Sequence, residues 1–142
     1  MNFYEYQVFS QTLETFKWPI VIILGILITI YRSKKEKEKE RVISSERLLD
    51  HIVNDNVEGV KYCLKNDLCP VNPRTVSGES AVELAILKEN KYILAYLIKY
   101  GAAVTAREVK VAHLVRNYEI IDLIKQGTYL EVILEYERGA TA

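Results

Sequence analysis

Residues 18–41, WPIVIILGILITIYRSKKEKEKER, set fourteen uncharged residues directly against a block of ten of which nine are charged. A helix lying against water shows one apolar stripe, not an apolar surface all round. Here Ile20, Val21, Ile22, Ile23, Leu24, Ile26, Leu27, Ile28 and Ile30 cover every direction of a helix, interrupted only by Gly25 and Thr29. A bilayer core of about 30 Å asks for about 20 helical residues. Residues 18–31 reach about 21 Å at 1.5 Å each, and a start near Leu13 lengthens the span to about 28 Å.

Three explanations compete for this segment. A buried core element suits its shortness, but it lies between two polar regions and has no polar face of its own. A cleaved signal peptide needs a basic leader and a small-x-small cleavage site. Residues 1–17 instead carry Glu5, Glu14 and a single Lys17, and the run is followed by Arg32-Ser33-Lys34-Lys35. A single transmembrane helix over 18–31, possibly from 13, accounts for more. Trp18 and Tyr31 flank it as interfacial aromatics do, Lys17 and Arg32 can extend outward, and Gly25 offers a point of close approach for another helix.

Six of the 19 basic residues fall within 32–41. The excess of Lys and Arg on that side places the C-terminal part in the cytoplasm and residues 1–17 outside it. Residues 32–41 are strong helix formers of both signs and read as a solvated stalk. The interleaved Glu36, Glu38 and Glu40 argue against a lipid-binding basic patch.

The remaining residues, 42–142, carry a repeat. A shift of 33 aligns Ser44 with Ser77, Glu46 with Glu79, Leu64 with Leu97, Val71 with Val104 and Arg74 with Arg107; a shift of 34 aligns Asn56 with Asn90, Tyr62 with Tyr96 and Lys65 with Lys99. The clearest unit is 77–106, SGESAVELAILKENKYILAYLIKYGAAVTA. Ser80 followed by Glu83, and Thr105 followed by Glu108, are spaced as capping boxes that open helices. Gly101 suits the left-handed position after a helix. Val82, Ala85, Ile86, Ile93, Leu94 and Leu97 recur at three- and four-residue spacings and form the expected core face. The unit before it contributes RLLDHIVNDN and VEGVKYCLKND. The unit after it, TAREVKVAHLVRN and YEIIDLIKQG, is offset by only 26 and lacks room for a finger between the units. Residues 128–139, opening on Thr128 and Glu131, read as one more amphipathic helix.

A period near 33 with two short helices per unit resembles the ankyrin repeat. Gly78, Leu84, Ala85, Ile93, Leu97, Gly101, Ala102, Val104 and Ala106 match the family pattern without a gap, while Ser80-Ala81-Val82-Glu83 stands where the family has Thr-Pro-Leu-His. The resemblance covers about 43–127 and is specific only in the central unit. It implies a short ankyrin-like helical solenoid, so that with the transmembrane helix read from residues 18–31 the expected chain is all-α: one N-terminal transmembrane helix, then the solenoid. It further implies recognition through finger tips and the exposed side of the first helices. Carried onto this sequence, those positions are Arg74, Val76, Ser77, Glu79, Leu87 and Lys88, with Asn54, Asp55 and Arg107 in the neighbouring units.

Enzymatic chemistry finds little support. No phosphate-binding glycine loop, Cys-x-x-Cys or His-Glu-x-x-His pattern is present, and no cofactor or metal is expected. Of the two histidines, His51 reads as part of a packed helix face, and His113 is either packed or exposed. Cys63 reads as a small buried hydrophobe and Cys69 as an exposed turn residue. Two cysteines without framework spacing suit a reducing compartment. With 19 basic and 19 acidic residues the net charge is zero, which argues against nucleic acid as partner. The expected function is a membrane-anchored protein-binding module facing the cytoplasm. The alternatives are an accessory subunit packed through its transmembrane helix into a larger membrane complex, and a small immunity or protective protein that neutralises a toxin or immune factor.

Overall fold

The computed structural model describes the backbone of residues 3–140 and the side chains of Tyr4 and of 19–140. Among the described residues the chain is all-α, with seven helices and a single isolated β-bridge between Arg74 and Ser80. It divides into two compact units, Met1–Glu40 and Arg41–Ala142.

The first unit is helical, part of α1 (Phe3–Val53). Its aliphatic side chains from Ile20 to Ile30 are each between 52% and 59% exposed. That uniformity means that no direction round the helix is covered by protein. Thr29 returns its hydroxyl proton to the Gly25 carbonyl at 2.8 Å, which satisfies a polar group without water. Among the described residues no helix is long and apolar enough to cross a membrane. Twelve residues lie between Pro19 and Arg32, a rise of about 20 Å from one to the other against the roughly 30 Å of a bilayer core. The expected extension of the span to Leu13 through Trp18 falls on side chains outside the described residues.

In sequence, stalk and first repeat helix read as separate elements; in the structure α1 runs unbroken through residues 32–41 and ends at Val53. The physical reason is the absence of any breaker: between Gly25 and Val53 there is neither glycine nor proline, and the Lys/Glu tract favours helix.

The second unit is a stack of helix hairpins. The last turns of α1 pair with α2 (Val57–Lys65), α3 (Ala81–Leu87) with α4 (Lys91–Lys99), and α5 (Ala106–Val115) with α6 (Tyr118–Gln126); α7 (Tyr129–Ala140) closes the chain. First helix packs on first, α3 against α5. Second helix packs on second, with α4 touching both α2 and α6, and α7 lies along α4. Val82, Ala85, Ile86, Ile93, Leu94 and Leu97 are all buried, as their spacing leads one to expect. Ile133 anchors α7, and Tyr136 meets Tyr92 and Tyr96 at ring-centroid distances of 5.0 and 6.4 Å.

The two inter-hairpin connections differ. Residues 66–80 hold the finger, whereas 100–105 are too few for one. The offset between the second and third units is 27 at the helix caps, Asn90 to Asn117, and 26 at the following glycines, Gly101 to Gly127, because the third unit's second helix passes directly into its left-handed glycine.

Two cysteine expectations separate here. Cys63 is buried as expected, but Cys69 is buried too, not exposed. Desolvation, followed by the neighbouring Cys63 thiol, pushes its pKa up to about 12. The turn folds back on α2, with Leu68 N–H donating to the Cys63 carbonyl at 3.0 Å. His51 is half-buried and lies over Gly59, where an added Cβ would sit 2.5 Å from its Nδ1. The glycine is thus required in mid-helix by close approach. His113 is exposed.

A candidate protein-binding surface

Three turns join first helix to second, and they are built alike. Asp55, Glu89 and Arg116 adopt left-handed backbone with φ of 53°, 54° and 59°. Each is followed by an asparagine, and Asn56, Asn90 and Asn117 cap the second helices by accepting from Gly59, Ile93 and Ile120 N–H groups. The capping oxygen leaves the amide NH₂ of each asparagine available; that of Asn56 meets His51 Nδ1 in its own unit at 3.3 Å, and the other two reach the preceding turn. Asn90 donates to the Asp55 carboxylate at 3.2 Å, and Asn117 to the Glu89 carboxylate at 3.0 Å. Successive turns are thereby tied together. At the third turn the place of the acid is taken by Arg116, a donor only, and no further asparagine-capped turn follows among the described residues.

Asn90→Ala removes both the cap and the link to Asp55, at an expected cost of about 1 kcal/mol, or roughly 4–8 °C in melting temperature. Asn90→Asp keeps the cap but sets two carboxylates face to face. A melt showing the aspartate variant as stable as wild type would refute the ladder.

The finger lies at the other end of α3, about 10 Å of helix away. Thr75 and Glu79 close it through a 2.9 Å backbone bond, Gly78 turns it at φ +90°, and Thr75, Ser77 and Glu79 interlock by side-chain bonds of 3.0–3.2 Å. Arg74 donates to the Gly78 carbonyl at 2.8 Å. A finger held this way presents its tip residue, Val76, fully exposed at little entropic cost on binding.

The residues expected to make a recognition surface therefore fall into two groups. Arg74, Val76, Ser77 and Glu79 meet in the finger, although Glu79 is half-buried as its brace. Asn54, Asp55, Leu87 and Lys88 lie on the turns, Leu87 half-exposed and Lys88 exposed. Asn54 is itself bonded to Asp50. Arg107 stands apart, paired with Glu83, whose Oε1 it bonds at 3.1 Å. The other oxygen of Glu83 is buried and held by the same guanidinium only through charge, at 3.1 Å. Glu83 thus serves Arg107 and does not return a bond to the Ser80 cap. Of the anchor residues, Gly25 has open space round its Cα and Tyr31 is exposed; the Trp18 side chain lies outside the described residues.

One buried cluster was not legible in the sequence. Glu108 accepts from the Thr105 N–H at 2.9 Å and from the Thr105 hydroxyl, which completes the expected capping box, and also from the Ser80 hydroxyl at 2.8 Å. Ser80 in turn caps α3. The caps of two stacked first helices are therefore one network. Burial pushes the Glu108 carboxyl up, but the bonds from Thr105, Ser80 and the backbone outweigh it and hold the pKa at about 2.

Among the described residues no group of three or more His, Cys, Asp or Glu is arranged to hold a metal ion. The finger tip is an exposed apolar side chain, Val76, on a hydrogen-bonded loop. No family model, curated protein or solved structure matches the chain.

Proposed function

We propose that this chain is a membrane-anchored, ankyrin-like protein-binding module. The observation that carries the binding half is the braced finger that holds Val76 in solvent, at the opposite end of α3 from a row of hydrogen-bonded turns. A large aliphatic side chain at the tip of a loop with no freedom to fold away serves contact with another molecule. The anchor half rests on the even exposure of nine large aliphatic side chains between Ile20 and Ile30, which water does not favour and lipid does. Pro19 within the helix suits the same reading, since membrane helices tolerate proline. A second reading, a subunit packed sideways through this helix, draws on the open space round Gly25 and the internally satisfied Thr29 one turn later, a pair of small residues that permits close helix approach.

Affinity capture of the full chain from native membranes in mild detergent, quantified by mass spectrometry, tests the binding half. Val76→Asp/Lys88→Glu is expected to lose at least one specifically captured protein about tenfold, the scale of one lost 1.4 kcal/mol contact, with the helical signal unchanged. An unchanged capture profile sinks the surface. Replacing 18–31 by polyleucine separates the readings: a tethered binder retains its captured protein, and a laterally packed subunit loses it.

A further inference from the structure

We infer that the turn-side face of the stack is a self-complementary interface that pairs with a second copy of the chain about a two-fold axis at Leu87. The inference rests on the reading of this face as a contact surface and names its occupant.

Aligned on their left-handed residues, the three turns place Val53, Leu87 and Leu114 at the same position, two residues before Asp55, Glu89 and Arg116. All three are exposed, Leu114 to 80%. The bonds from Asn90 to Asp55 and from Asn117 to Glu89 put these turns side by side, so the three side chains form one apolar column, stepped by the 8–10 Å typical of packed helices.

Charge along the column is polarised. On the first helix of the first unit, Asp50 and Glu46 lie one and two turns before Val53 on the same stripe, both exposed. On α5 the matching stripe before Leu114 carries Arg107 and Lys110, and Arg116 follows; the only acid on that helix is the buried Glu108. Arg107 is engaged with Glu83, which leaves Lys110 as the stripe's outward cation. One end of the column is therefore acidic and the other basic, with Leu87 at the centre. A partner must present apolar groups at the same step with the charges reversed. Rotation by 180° about Leu87 supplies that partner: Leu114 of one copy meets Val53 of the other, and Lys110 meets Asp50, twice over. Such isologous contacts are the commonest form of self-association. Confinement to one membrane raises the effective concentration that drives it.

The test uses the full chain in detergent micelles, with mass determined by light scattering across a concentration series. Wild type is expected to dimerise, more weakly at high salt. Asp50→Lys and Lys110→Asp each place like charges together at both ends and are expected to weaken dimerisation at least about tenfold, since like-charge juxtaposition is strongly unfavourable. Asp50→Lys/Lys110→Asp restores opposite charges and is expected to return within a few-fold of wild type. Leu87→Cys, at the axis, is expected to cross-link to itself through a short bismaleimide. Circular dichroism of each variant excludes misfolding as the cause. A wild-type chain that stays monomeric, or a double variant no better than the singles, overturns self-pairing. If Val76→Asp/Lys88→Glu still loses captured protein in that case, the contact-surface reading stands and only the occupant is wrong; if capture is unchanged, both have failed.

Discussion

Replacing Glu108 by glutamine is expected to destabilise the hairpin stack by about 3 kcal/mol at neutral pH and to remove most of that group's acid sensitivity. The carboxyl is 1% exposed, an expensive place for a charge. Its three donors more than offset that burial and hold the pKa at about 2 against 4.5 for the free group. The folded pKa is the lower one, so the folded chain binds fewer protons than the unfolded chain between these values. The stabilisation is complete above about pH 5.5, declines as pH falls through 4.5, and is exhausted near 2. Glutamine keeps one acceptor oxygen but no charge, and its NH₂ meets hydroxyls already committed to helix caps. Urea unfolding of residues 42–142, followed by circular dichroism at pH 7 and pH 3, checks both parts. The gap between wild type and Glu108→Gln is expected to close from about 3 to about 1 kcal/mol over that interval. A gap that does not change with pH would show that the charge of Glu108 contributes nothing.

Much of the hairpin stack could be read from the sequence because the relevant physics is local. Three- and four-residue spacings fixed Val82, Ala85, Ile86, Ile93, Leu94 and Leu97 as core. Ser80 and Thr105 marked helix starts, and Gly101 marked an end, through requirements that span no more than one turn. Residues whose roles depend on stacking stayed hidden. Glu83 looked like a partner for Ser80 three positions away, whereas its charge is answered by Arg107 on the next first helix. Glu108 was read only as half of a local box, since Ser80 lies 28 residues distant. Asn56, Asn90 and Asn117 do leave a signal: each follows a left-handed residue and precedes a helix. Position alone, however, does not reveal that the amides of Asn90 and Asn117 bridge successive turns. The candidate surface was legible where it depends on exposure at a loop tip, as for Val76, and illegible where a side chain is drawn inward, as for Glu79, or paired with a neighbouring helix, as for Arg107. Cys69 was misread for the same reason: a turn residue is exposed unless the turn folds back onto a helix.

Paired charges placed in the aliphatic run are expected to release the protein from membranes. Arginine or lysine at the centre of a membrane helix costs about 2.5–3.5 kcal/mol on the insertion scale, so Ile23→Arg/Ile26→Arg is expected to oppose insertion by about 5–7 kcal/mol. Both positions belong to the unit Met1–Glu40, and the hairpin stack to the unit Arg41–Ala142. Wild type is expected to stay with the membrane pellet through alkaline carbonate, the double variant to leave it, and residues 42–142 alone to be helical and monodisperse without detergent. Helicity of that fragment follows from a core it contains entirely, from Leu48 to Ile133. Orientation needs engineered thiols, because Cys63 and Cys69 are both buried and the Cys69 thiol is pushed up to about 12, far from the reactive thiolate form at neutral pH. With a membrane-impermeant maleimide on intact cells, Ser10→Cys is expected to label and Lys88→Cys to label only after lysis. The bias of Lys and Arg toward residues 32–41 demands that order. Carbonate extraction of the wild-type chain would end the anchor reading, and labelling of Lys88→Cys in intact cells would reverse its orientation. A fragment 42–142 that aggregates unless residues 1–41 are present would show that the aliphatic run packs against protein, and would favour the laterally packed subunit.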